Sequence, residues 1–88
     1  MDFRWNDWNL EHVGAHGVTP EEAEFIVAHA ARPYPERIEE KKYLVLGLGW
    51  GGRFIQAVYL LDDEGTACII HARPLTEAER RRLRRREP

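Results

Sequence analysis

Residues 42–72 decide the fold of this 88-residue chain, because they contain three strand-like runs joined by short turns. Residues 42–48 read KYLVLGL, residues 53–61 read RFIQAVYLL and residues 66–72 read TACIIHA. The connecting stretches, GWGG and DDEG, are short and contain glycine, as the loops of antiparallel hairpins do. The pattern predicts a three-stranded antiparallel meander.

Helix signals precede these strands in the stretch VTPEEAEFIVAHAA. Thr19 is the expected N-cap, Pro20 fits the first helical position, and Glu22 lies three residues after the threonine. This spacing predicts a helix that opens with a capping box, in which the Thr19 and Glu22 side chains each bond the other residue's backbone N–H.

A shorter helix is expected nearer the N-terminus, after FRWN, which predicts a small edge strand. Asp7 is the expected N-cap, and the helix should run to about Ala15. Gly17 then supplies the left-handed backbone conformation that commonly ends a helix.

The last helix is predicted from Thr76 and Glu79, which have the spacing of a second capping box before EAERRRLRRR. RPYPERIEEKK, residues 32–42, is expected to be irregular because of its two prolines. The resulting order is a short strand, two helices, a meander and a helix. This order predicts one α+β domain over residues 1–88, with helices packed on a small sheet.

Composition limits the classes of protein to consider. Apolar residues make up 43% and charged residues 32%, which is typical of a globular chain. No apolar run approaches the roughly 20 residues that span a bilayer, and the start, MDFRWNDW, is unlike a signal peptide. Cys68 is the single cysteine, which excludes an internal disulfide. We expect a cytoplasmic protein with no membrane partner, and a domain this small favours support from a partner or a homodimer.

The near-neutral net charge of −2 hides an uneven distribution. Residues 73–86 contain seven arginines against two glutamates, whereas residues 7–24 contain five acids and neither lysine nor arginine. The basic end is either a solvated helix face or a face that binds phosphate or an acidic partner. Composition does not choose between these readings.

His12 and His16 have the i, i+4 spacing that places two imidazoles on one helix face. Zinc catalysis needs a third protein ligand, and the glutamate of an HExxH motif is missing, since Val13 follows the first histidine. No metal site and no cofactor are therefore expected. His16 either stabilises the negative end of the helix or transfers protons near neutral pH, and both roles stay open.

Other side chains narrow the chemistry further. The chain contains no serine, which excludes a serine nucleophile, and GLGWGG lacks the lysine of a phosphate-binding loop. Trp5 and Trp8 are expected in the core. Trp50, in a glycine-rich turn, is expected to be exposed, where it could stack on a nucleobase.

Taken in order, these motifs resemble the BrnT-like toxins of bacterial type II toxin–antitoxin systems, over nearly the whole chain. The resemblance implies a small ribonuclease with a RelE-like fold, which cuts RNA without a metal and is held inactive by a DNA-binding antitoxin that also represses the operon. The matching residues are Trp5, Asn9, His16, Gly17, Val18, Glu21, Glu22, Ala23, Tyr43, Gly47, Gly52, Arg53, Ile69, Ile70, Ala72, Arg73, Thr76, Glu79 and Arg80.

The resemblance also implies site residues for attack of an RNA 2′-hydroxyl on the adjacent phosphate, which needs a base, an acid and cations. His16 would transfer protons, Arg73 and Arg80 would clamp phosphate, and Glu79 would act as a base or orient an arginine. The residues expected to contact RNA around this centre are Lys42, Arg53, His71, Arg81 and Arg84.

Three positions depart from the family pattern. His71 stands where Ser or Thr is usual, Lys42 replaces an arginine, and Leu83 replaces a tyrosine. His71 could be a substituted catalytic group. The alternative is a non-catalytic module of the same fold that binds nucleic acid or an antitoxin and has lost turnover.

Overall fold

A computed structural model describes the backbone of residues 1–86 and the side chains of residues 1–83. The strands are β1 (Asp2–Phe3), β2 (Glu36–Glu39), β3 (Lys42–Leu48), β4 (Phe54–Leu61) and β5 (Thr66–Pro74). The helices are α1 (Asp7–Gly14), α2 (Pro20–Ala28) and α3 (Glu77–Arg86). The α+β class is confirmed. Among the described residues, no helix is both long and apolar enough to cross a membrane.

The described part of the chain forms a five-stranded sheet in the order β1-β5-β4-β3-β2, which has one strand, β2, beyond the predicted short strand and meander. β3, β4 and β5 pair antiparallel, β1 joins β5 in parallel, and β2 pairs antiparallel with β3. β2 lies in the segment expected to be irregular. Its four side chains are all exposed, so no apolar alternation marks it, and it exists because the edge of β3 offers backbone partners.

One face of the sheet packs against α1 and α2 and carries the core. We call it the helix face, and we call the other side the outer face. Gly47 of β3 lies on the helix face, where a side chain at this position would touch Ile26 of α2. The residues buried in this core are Val13, Val18, Ala23, Ile26, Val27, Val45, Ile55, Ala57, Tyr59, Ala67, Ile69 and Ala72.

The helix starts follow side-chain hydrogen bonds. α1 is capped by Asn6 rather than by the predicted Asp7, because Asn6 Oδ1 accepts from Asn9 N and Asn9 Oδ1 accepts from Asn6 N. Asn9 is also fully buried, and its Nδ2 donates to Ile69 O at 3.0 Å, which fixes α1 against β5. The predicted positive φ at Gly17 is confirmed, at 75°.

The two threonine caps differ in how they are completed. Thr19 caps α2 as predicted, but only half of its capping box forms, because the Glu22 carboxylate accepts instead from Arg53. The box of α3 is complete: Thr76 Oγ1 accepts from Glu79 N, and Glu79 Oε1 accepts from Thr76 N.

The tryptophans divide differently from the sequence expectation. Trp5 packs against the core, and Trp50 is 60% exposed, so both expectations are confirmed. Trp8 is 53% exposed, so its expected place in the core was wrong. α1 turns Asn9 and Val13 towards the core. Trp8, the residue before Asn9, therefore lies on the exposed side of the helix.

Candidate active site

His16 and His71 meet although 54 residues of sequence separate them. Their ring centroids are 5.7 Å apart, with the ring planes at 65°. His16 follows the end of α1, which lies along the edge of β5 beyond the two-residue β1, where Asn9 Nδ2 bonds to Ile69 O. From this edge His16 reaches His71, although His71 lies on the outer face. The contact brings together two side chains that can give and take protons.

A β-bulge determines which way His71 points. The register of β4 and β5 shifts so that Tyr59 pairs with Ile69 while Val58 pairs with His71, which makes Ile70 the additional residue. As a result Ile69 lies on the helix face, but His71 and, two residues later, Arg73 lie on the outer face.

The surroundings of His71 favour its neutral form. Burial lowers the pKa of His71 below its ordinary 6.5, and the nearby positive charges of His16 and Arg73 lower the pKa further. A neutral imidazole can accept a proton at physiological pH, so His71 is suited to the role of a base.

Arg73 is held by a network on the outer face. Its Nη1 and Nη2 donate to the two Glu79 carboxylate oxygens, both at 2.7 Å. Nη1 also donates to Pro74 O at 3.2 Å, and Nη2 to Gln56 Oε1 at 3.1 Å. These four bonds use the four N–H groups of the two terminal nitrogens, so Arg73 presents a fixed charge beside His71.

Glu79 fits the orienting role better than the role of a base. Its bonds with Arg73, and then the Thr76 backbone N–H, lower its pKa from 4.5 to about 2. A carboxylate with so low a pKa binds a proton weakly near neutral pH. Glu79 therefore fixes Arg73 and joins the start of α3 to β5.

Arg53 is a second cation close to the backbone at His16. Its Nη2 donates to Gly17 O and to Glu22 Oε1, both at 2.8 Å. The Glu22 side chain is only 5% exposed, so this ion pair neutralises a buried carboxylate. Arg53 thus holds the backbone beside His16 in place.

The remaining predicted residues lie around this centre or away from it. Arg80 is half-buried, and its Nε has no hydrogen-bond partner among the described atoms. Arg81 is exposed on α3. Lys42 starts β3 at the opposite end of the sheet from Arg53 and lies 3.9 Å from a Glu39 oxygen, so it does not join the histidines. The side chain of Arg84 lies outside the described residues.

His12 does not join His16, despite their sequence spacing. Its Nδ1 bonds to Trp8 O at 2.7 Å, and its ring stacks on Trp8. Among the described residues, no group of three or more His, Cys, Asp or Glu side chains is placed to share a metal ion.

Gln56 was missed by the sequence reasoning. It is the one uncharged polar side chain within the apolar run FIQAVYLL of β4, and it accepts from Arg73. That polar interruption was a usable signal, since a polar side chain in a strand of this kind needs a partner. Its pairing with Arg73, however, depends on the register of β4 and β5.

Comparison with protein families and curated proteins adds no relative. No protein-family model and no curated protein matches this sequence. Any functional hypothesis therefore has to account for the histidine pair and the cations around it.

Proposed function

We propose that this protein is a metal-independent endoribonuclease, the BrnT-like toxin of a bacterial type II toxin–antitoxin pair with a RelE-like fold. The observation that carries the proposal is the meeting of His16 and His71, with 5.7 Å between ring centroids, beside the fixed charge of Arg73. Two imidazoles supply an acid and a base without requiring a metal.

In the proposed reaction, the neutral imidazole of His71 accepts the proton of an RNA 2′-hydroxyl. The 2′-oxygen forms a bond to the adjacent phosphorus, and the bond from phosphorus to the 5′-oxygen breaks. The imidazolium of His16 donates a proton to the leaving 5′-oxygen. The products are a 2′,3′-cyclic phosphate and a 5′-hydroxyl, so protons and bonds balance.

Arg73 supports this step as a nearby cation. Negative charge accumulates on the phosphate oxygens as the 2′-oxygen attacks, and a preorganised positive charge stabilises it without reorganisation during the reaction. Glu79 and Gln56 fix the guanidinium in that position. Its side chain is 28% exposed, so it is accessible from the surface.

The partner in this proposal is a cognate antitoxin that represses the shared operon, and the setting is the cytoplasm. Arg81 and Arg82 are exposed on α3, within the arginine-rich end of the chain. An acidic antitoxin segment lying over this helix would block the RNA backbone from the same cations. Association of the chain with itself as a homodimer is a further proposal.

A second function, binding of RNA or antitoxin without turnover, is favoured by one observation. The four terminal N–H groups of Arg73 are already bonded within the protein. A phosphate that needed those donors would have to displace Glu79. While Glu79 holds Arg73, the positive charge of Arg73 attracts RNA, but the guanidinium does not donate hydrogen bonds to the reacting phosphate.

The deciding experiment is incubation of the purified protein with end-labelled RNA in EDTA. We expect fragments that end in a 2′,3′-cyclic phosphate, and no cut where a 2′-deoxynucleotide replaces the ribonucleotide at the cleavage site. A substrate with all 2′-hydroxyls removed is the matched control. Intact RNA, together with retained and salt-sensitive RNA binding, would favour the second function instead.

A further inference from the structure

An aromatic cluster lies at the tip of the hairpin between β3 and β4. Trp50 is 60% exposed, and its ring centroid lies 5.4 Å from that of Phe25 on α2, with the planes tilted by 48°. Phe25 in turn stacks on His29 at 4.2 Å, with only 27° between the planes. We call these three residues the aromatic platform.

The hairpin tip that carries Trp50 is fixed in place. Gly49 N donates to Arg53 O at 2.8 Å, and Gly52 N donates to Gly49 O at 3.0 Å. A Cβ at Gly49 would lie 2.5 Å from Glu22 Oε2, so the turn packs directly on a buried carboxylate. The large exposed area of Trp50 is therefore a fixed feature of the fold.

The same contacts connect the aromatic platform to the histidine pair. Arg53 follows the turn and donates to the carbonyl of Gly17, the residue after His16. The turn, the loop that contains Gly17 and the end of β5 all lie at one end of the sheet. A ligand at His16 can therefore extend past Arg53 to Trp50.

We propose that the aromatic platform is a base-stacking subsite for single-stranded RNA, which rests on the proposed function at His16 and His71. One nucleobase lies on the exposed ring of Trp50, because every base has a π-face and such stacking tolerates any sequence. The ribose–phosphate backbone leads from this base towards Arg53 and the histidines.

The charges near the platform set this direction. Glu21 is exposed and lies four residues before Phe25, on the same face of α2. Its carboxylate repels a phosphate that would run along α2. Arg53 follows the turn and bonds the carbonyl next to His16, where a phosphate meets positive charge or a hydrogen-bond donor.

The test uses a single-stranded RNA oligonucleotide with 2′-O-methyl groups at every position, which cannot be cleaved by 2′-hydroxyl attack. Its dissociation constant is measured by fluorescence anisotropy for the full chain. We expect Trp50→Ala to weaken binding by roughly 5- to 100-fold, the range for loss of one stacked base. Trp50→Phe should keep most of the affinity, and Glu21→Gln should increase it.

Trp8→Ala is the matched control, since Trp8 is also an exposed tryptophan, at 53%, and also stacks on a histidine, at 4.0 Å. It belongs to α1, away from the hairpin tip, and its loss should leave the affinity unchanged. Equal affinities of the Trp50→Ala and Trp8→Ala variants would overturn the proposal, as would no binding by the unmodified chain. The proposal would also be overturned if Trp50→Ala abolished binding to a protein partner but left the affinity for the RNA probe unchanged.

These outcomes are separate from the test of the proposed function, because the probe reports binding without turnover. If cleavable RNA stays intact but Trp50→Ala loses affinity for the probe, the ribonuclease proposal fails and the subsite stands. If RNA is cleaved but Trp50→Ala binds the probe normally, only the subsite fails. Thermal melting of each variant verifies that the fold is intact.

Discussion

The four histidines of this chain fall into two kinds, local and long-range. His12 and His29 are alike: each bonds through Nδ1 to the carbonyl four residues earlier, on Trp8 and Phe25 respectively. Each also stacks on the aromatic ring of that same residue, at 4.0 and 4.2 Å. These contacts follow from helical spacing alone.

His16 and His71 differ because their partner is another element of the fold. Their contact needs α1 to pack along β5 and needs the bulge that turns His71 outward. In His12 and His29, Nδ1 is already bonded to a carbonyl of the same helix. The rings of His16 and His71 instead contact each other. The comparison shows that closeness in sequence, as in the pair His12 and His16, was a poor guide to shared chemistry.

The largest expected effect is on catalysis. His16→Asn or His71→Asn should each lower the rate of RNA cleavage by about 100- to 10,000-fold, the range for loss of a general acid or base. His12→Asn is the matched local control and should retain the rate of the unmodified chain. Single-turnover cleavage of labelled RNA measures all three. Equal losses in the His12 and His71 variants would contradict the division into local and long-range histidines.

A smaller effect is expected on stability when the backbone beside His16 loses its tether. Arg53→Ala leaves the carboxylate of Glu22, whose side chain is 5% exposed, without its cation. Because water reaches this site through the 41% exposed arginine, we expect a loss of about 2 kcal/mol, below the range for a fully buried pair. Urea denaturation measures the free energy of unfolding.

The control for Arg53 is an exposed ion pair between two turns that connect strands of the sheet. Lys41→Ala removes the partner of Asp63, where the two side chains are 55% and 85% exposed, and should change the free energy of unfolding by less than about 0.5 kcal/mol. If both variants lose the same amount, the Arg53 contact has no special role in fixing the His16 loop.

The smallest effect is a change in titration that reports the histidine contact directly. The pKa of His71, followed by NMR, should lie below 6.5, and His16→Gln should move it upward while burial and Arg73 keep it lowered. Since folding lowers this pKa, the stability that His71 contributes is present above pH 6.5 and is lost as the pH falls through the folded-state pKa. An unmoved pKa in the His16→Gln variant would contradict the contact.

The sequence by itself determined the features that depend on near neighbours. Thr19 and Thr76 cap helices as their spacing predicts, and β3 has the bounds that its apolar run indicates. The exposure of Trp50 followed from its glycine-rich turn. Each of these features arises from hydrogen bonds or side-chain alternation within a few residues, so a single stretch of chain carries the whole signal.

Only the tertiary structure decided the features that need a distant partner. β2 carries no apolar alternation and exists because β3 offers backbone partners, and the predicted short first strand acquires its parallel pairing only from β5. The half-formed cap at Glu22 follows from Arg53, which competes for the same carboxylate. The meeting of His16 and His71 depends on helix packing and on a one-residue bulge in β5, whose position is set by the pairing with β4 and not by β5 alone.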